Sequence, residues 1–176
     1  MITYFLYFFI YAFLGWCTEV IYAALKEGRF INRGFLNGPL CPIYGFGVIA
    51  VVNILKPIMD NVFLLFLGSV LITSAIEFTT GFVMEKIFHQ KWWDYSEVPF
   101  NIGGYICPLF SCMWGIACLV IVDDIHPMIT NLAVHIPETV SIVILSILSI
   151  VLAVDLAATV NTVLKLNKKL ESIENL

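Results

Sequence analysis

Three carboxylates, Glu19, Glu77 and Asp155, lie inside apolar runs of this 176-residue chain. An acid placed in a membrane span costs ~2.5–3.5 kcal/mol on insertion scales, and by default it faces a bundle interior or a watery cavity, where it meets a cation, a proton or a base. Glu19 precedes Lys26 by seven residues, Glu77 precedes Lys86 by nine and Asp155 precedes Lys165 by ten. At ~1.5 Å of helix rise per residue, the three acids sit roughly 10, 13 and 15 Å from the basic ends of their segments. Tyr11 and Gly15 share the face of Glu19, with Trp16 and Tyr22 alongside; Thr73, Thr80, Gly81 and Met84 surround Glu77; Ala158, Thr159 and Thr162 flank Asp155. Hydroxyls and small residues allow close helix contact and hydrogen bonds to a carboxyl. The competing reading is structural: Glu19 and Glu77 are protonated, or paired with Arg33, and only hold helices together.

The elements that position these acids follow from composition. Hydrophobic residues make up 60% of the chain and charged residues 12%, against roughly 45–50% and about 25% in a soluble domain. With a mean hydropathy of +0.95, the chain is expected to be all-α, a polytopic bundle of membrane helices rather than a water-soluble core. A net charge of −4 and a pI near 5.2 exclude nucleic-acid binding by bulk electrostatics.

Apolar runs divided by polar clusters predict five spans, at about 2–25, 36–55, 62–88, 102–122 and 140–164, with 165–176 as a helical extension into the cytosol. The first span has no basic n-region and is too long for a signal-peptide core, so it reads as a retained helix. Eight of the nine basic residues follow spans one, three and five, and only Lys56 lies on the other side. The positive-inside rule then puts the N-terminus outside and the C-terminus in the cytoplasm of a multi-pass cell-membrane protein. The segment from Asp123 to Glu138, without Lys or Arg, is expected to be an external loop.

An internal repeat is visible. Glu19 and Glu77 are offset by 58 residues, and the Cys41-Pro42 and Cys107-Pro108 steps by 66. The difference of 8 is an insertion in the second loop, around Trp92 to Pro99. Spans one and two would then match spans three and four as a parallel duplicated hairpin, with a fifth helix alongside. The loop from Gly28 to Pro39 is crowded with helix-breaking residues, which near a membrane are tolerated where they line a cavity. It carries Asn37 as a gate candidate. Arg33 is either a partner for an acid or an anionic group, or an interfacial anchor. In the second loop, Trp93, Asp94 and Tyr95 read first as an interfacial belt and second as a cover for the cavity, with Asn101 nearby. The five cysteines form no CxxC pair and are expected at helix interfaces, without metal or disulfide. There is no phosphate-binding loop and no dinucleotide turn, so any ATPase would be a separate chain, and no cofactor is expected.

Gly15-Trp16 with Glu19, then Asn32-Arg33-Gly34-Phe35-Leu36, Gly38-Pro39, Pro42-Ile43-Tyr44-Gly45 and Trp93-Asp94-Tyr95 resemble a small bacterial membrane family labelled putative ABC transporter permease, type IV. The resemblance runs from about Phe13 to Gly115, with the Arg-Gly-Phe-Leu segment its most specific part. It implies a membrane transport role but supplies no catalytic or binding residues. The first expectation is therefore a small transport protein or transporter subunit, a homodimer or part of a larger membrane complex in the lipid bilayer. Glu19, Glu77 and Asp155, with Arg33, Trp16, Tyr22 and Thr80, would line a cavity open to the cytoplasm for a cation, a proton or a cationic solute. A carboxyl in low dielectric favours its protonated form unless paired, which suits proton-coupled exchange. Two alternatives stay open: an intramembrane enzyme acting on a lipid or isoprenoid, and a non-catalytic partner of another membrane protein.

Overall fold

The computed structural model describes residues 2–174, all helix and loop, with no strand among them. Six helices follow in order: α1 (Ile2–Glu27), α2 (Pro42–Ile54), α3 (Val62–Phe88), α4 (Pro108–Val120), α5 (His126–Val134) and α6 (Glu138–Glu174). α1, α3, α6 and the continuous stretch Pro108–Val134 are each long and apolar enough to cross a bilayer, whereas α2 is a shorter apolar helix. This is a multi-pass membrane protein.

α1 ends where Gly28 takes a positive φ of 69° and its N–H closes on the Ala24 carbonyl at 2.9 Å, the left-handed stop that glycine adopts without a Cβ penalty. The chain does not turn straight into the next helix. It runs back beside α1 until the Cys41 N–H donates to the Ala12 carbonyl (2.9 Å), and Pro42 then opens α2 at a position whose missing N–H costs nothing. Ala12 lies fourteen residues before Lys26, so α2 starts roughly 21 Å up α1 from its basic end. The segment expected to be helical from residue 36 is loop as far as Cys41, because Gly38 and Pro39 interrupt it and Pro42 supplies the start.

The second hairpin does the same. α3 ends at His89 in a left-handed conformation, and a loop runs back to Cys107, where Pro108 opens α4. In the first turn of α4, Ser111 accepts a 2.8 Å hydrogen bond from Ser74, midway along α3. The helix expected over 102–122 is thus shifted: Ile102–Cys107 is loop, turned by Gly103 and Gly104 at φ of 62° and 77°.

The far end also differs from expectation. Asp123–Val134, read from sequence as an external loop, is helical: a π turn over Ile121–Ile125 passes into α5. Pro127 removes a helical N–H and would press on the carbonyl four residues earlier, and the wider π turn relieves that contact. The helix persists because Ile129 and Ala133 pack with Tyr7, Tyr11 and Val48 in a buried cluster. Tyr7 donates to Thr130 (3.1 Å), and Tyr11 is bonded to His126 Nδ1 (2.9 Å).

α6 is docked on the body by Leu145 against Leu6, Phe8 and Phe9, and by an Asn167 hydrogen bond to the Phe88 carbonyl at the end of α3. It continues as helix beyond Leu164 to Glu174, with Leu166, Leu170 and Ile173 exposed.

Candidate functional site

Each hairpin holds one acid of its long helix against a tyrosine hydroxyl. In the first, Tyr44 of α2 donates to Glu19 Oε1 at 2.6 Å. Its ring lies directly on Gly15, where a Cβ would come within 2.2 Å of Tyr44 Cγ. The Arg33 guanidinium approaches Glu19 Oε2 at 3.9 Å and lies 5.1 Å from the Tyr22 ring centre. Sequence reasoning left Arg33 a choice between the two glutamates; it sits beside Glu19.

In the second hairpin the hydroxyl comes from the loop. Tyr95 donates to Glu77 Oε1 at 3.0 Å, and its ring stacks on Phe110 at 4.6 Å between centroids. Phe110 stands three residues after Cys107, as Tyr44 stands three after Cys41. Where the first half-helix carries its own hydroxyl, the second carries a phenyl ring, and the longer loop lays a tyrosine over it. The Trp114 ring packs edge-on against Tyr44 at 5.4 Å, joining the two hairpins. Trp114 also faces the Glu77 carboxyl. Glu77 is 8% exposed, and among the described residues its Oε2 has no hydrogen-bond partner.

Asp155 is placed differently. Its Oδ1 accepts from the Asn37 N–H (3.2 Å) and the Asn37 side-chain amide (3.0 Å), and its Oδ2 from the Gly38 N–H (2.8 Å). Asn37 also donates to Thr159 at 2.7 Å. Asp155 therefore holds the loop before α2 onto α6, and both its oxygens are occupied. Within that loop Asn32 is the hub. Its amide donates to the Leu36 and Asn37 carbonyls, while its oxygen accepts from the Gly34 N–H and from Trp16 Nε1 (2.9 Å). Trp16 thus braces the loop and does not reach a carboxylate.

Asn101 plays the corresponding part in the second loop. It donates to the Ser96 and Val98 carbonyls and accepts from the Gly104 N–H. Trp93 lies against Gly81 and donates to the Tyr105 carbonyl (2.9 Å). Asp94 is exposed and takes the hydroxyl and the backbone N–H of Ser96, bonds that hold its carboxyl below the usual range, with Lys91 3.6 Å away. Of the Trp93–Tyr95 run, Tyr95 reaches an acid, Trp93 packs behind it and Asp94 shapes the turn. Thr80 lines a crevice between α2 and α3 with Ile43 and Phe46. Cys41 and Cys107 are buried at the starts of α2 and α4.

Sequence reasoning missed Tyr44, Phe110 and Trp114 as neighbours of the acids. The signal was present for the first two: aligning the Cys-Pro steps sets one aromatic ring opposite the other.

The fold and these pairs define a helical membrane protein with two tyrosine-bonded glutamates, Glu77 buried and Glu19 half-buried. Over residues 6–160 the chain matches the family described as "Putative ABC-transporter type IV", and it belongs to that family. No curated protein and no solved structure matches it.

Proposed function

We propose that this protein is a small transport protein or transporter subunit whose exchange site is the Glu77–Glu19 pair, reached from the basic, cytoplasmic ends of the helices. The observation that carries this reading is Glu77 Oε2, a buried carboxylate oxygen without a hydrogen-bond partner among the described residues. A buried polar atom left unpaired is costly, and an ionised one more so. The site is therefore complete only with something that brings positive charge to that oxygen, a proton or a small cation. The other two acids are already engaged, Glu19 by Tyr44 and Arg33 and Asp155 by the loop. The proton or cation is thus assigned to one carboxylate, with Glu19 as its neighbour.

Two further parts of the reading support an exchange site on an internal axis. Both hairpins pair a long acid-bearing helix with a helix opened by Cys-Pro part-way up its length, as a parallel duplication requires. With α2 as the short second crossing there are five spans, the N-terminus outside and the C-terminus cytoplasmic. A homodimer or a larger complex, with any ATPase as a separate chain, is the assembly consistent with a chain of this size and without a nucleotide-binding loop.

The test is proton flux in proteoliposomes loaded with a pH-sensitive dye, under an imposed potential. Wild-type vesicles are expected to acidify faster than empty ones, with Glu77→Gln losing the difference and a Glu19→Gln, Glu77→Gln double variant behaving alike. Unchanged flux in the double variant overturns the assignment. Wild-type flux no greater than in empty vesicles overturns the proton reading.

A further inference from the structure

A crevice of ≈ 360 Å³ opens between α2 and α3, lined by Ile43, Phe46, Ala75, Ile76, Thr79 and Thr80. That is about ten times the ~30 Å³ share of one water molecule. Its origin lies in the topology. α2 starts only at Pro42, and the residues before it are drawn onto α6 by Asp155, so α2 itself does not extend along α3 past Pro42.

We infer that this crevice holds an acyl chain of an anionic phospholipid, with the phosphate at Lys86. Ala75, Thr79, Phe82 and Lys86 follow at steps of four, three and four residues, which puts them on one helix face. From Ala75 to Lys86 is eleven residues, or roughly 17 Å along the axis, about the depth of one leaflet of a ~30 Å hydrocarbon core. A chain lying in the crevice therefore brings its headgroup level with the lysine. Phe82 is 41% exposed, and the Lys86 ammonium sits 5.5 Å from its ring centre, at the end of the stripe. Among the described residues no carboxylate is paired with Lys86: the ion pairs are Arg29–Glu27, Arg33–Glu19 and Lys91–Asp94. Neighbouring Glu85 is turned to the Tyr105 hydroxyl, 2.6 Å away. An apolar slot leading to an unpaired cation at the membrane edge matches a lipid with a negative headgroup better than a zwitterionic one.

Native mass spectrometry of the purified protein tests this with phosphatidylglycerol and phosphatidylcholine of identical chains. Wild type is expected to retain one phosphatidylglycerol with about fivefold preference, since a lysine near the membrane surface contributes about that factor. Lys86→Gln, at an exposed position that leaves packing intact, is expected to erase the preference. Thr79→Phe, which fills the slot, is expected to lower retention of both lipids, with thermal unfolding as the check that it folds. Equal retention of the two lipids by wild type overturns the inference. So does an undiminished preference in Lys86→Gln, or a dimer that excludes lipid from the protein.

Discussion

The contact that holds the first loop inside the bundle can be broken with one atom group. Asp155→Ala removes the acceptor of the Asn37 and Gly38 N–H groups, which lie 3.2 and 2.8 Å from its oxygens. Asp155 lies ten residues, roughly 15 Å, from the basic end of α6, where water is scarce. A buried donor that loses its partner costs about 1–3 kcal/mol. Asn37 is exposed, so the cost is counted for the half-buried Gly38 N–H alone, a loss of about 1–3 kcal/mol. The loss falls on the loop rather than on the whole fold, because α6 is independently docked by Leu145 and Asn167. Local opening should therefore become easier by roughly 5-fold to 150-fold, at tenfold per 1.4 kcal/mol. The assay is the maleimide-labelling rate of Cys41, 7% exposed at the end of this loop, in a variant with the other four cysteines replaced. Asp155→Asn keeps one acceptor oxygen and should fall between wild type and Asp155→Ala. If Asp155→Ala labels Cys41 at the wild-type rate, the carboxylate does not hold the loop, and its assignment as a latch is wrong.

Two other outcomes follow from the same geometry. Tyr95→Phe removes the hydroxyl that donates to Glu77 Oε1, so it should destabilise by about 1–3 kcal/mol. It should also couple strongly to Glu77→Gln in a double-mutant cycle of thermal unfolding, and additive single effects would show that the hydroxyl and the carboxyl do not interact. In α2, a Cβ at Gly45 would lie 2.6 Å from the Phe8 backbone carbonyl, whereas one at Gly47 meets nothing within 4 Å. Gly45→Ala should lower the melting temperature, and Gly47→Ala should leave it unchanged or raise it, in line with the ~0.4–1 kcal/mol of added stability typical of a compatible replacement. Equal shifts for the two variants would mean that α1 and α2 are not packed this closely.

Much of the architecture is local and so was legible without coordinates. The apolar runs and the basic residues that follow them depend on residues a few positions apart; the Cys-Pro steps stood out as matched landmarks, although the helices they open were expected to begin earlier, at 36 and 102. Belonging to the transporter family was likewise visible in the Asn32–Leu36 segment and its companions. The misread parts were those where a local signal met a distant partner. Asp123–Val134 is polar enough to read as loop, yet stays helical because Ile129 and Ala133 find Tyr7 and Tyr11 on α1. Asp155 looks like a third cavity acid until a loop 118 residues away in sequence closes on it. The tyrosine for Glu77 arrives from the loop before α4, whereas the one for Glu19 comes from α2 itself. Spacing along one chain reports which side chains share a face and how deep they lie, because helix geometry is regular. Which carboxylate is left with an open oxygen depends on how loops fold back between helices, and only the packed structure decides that.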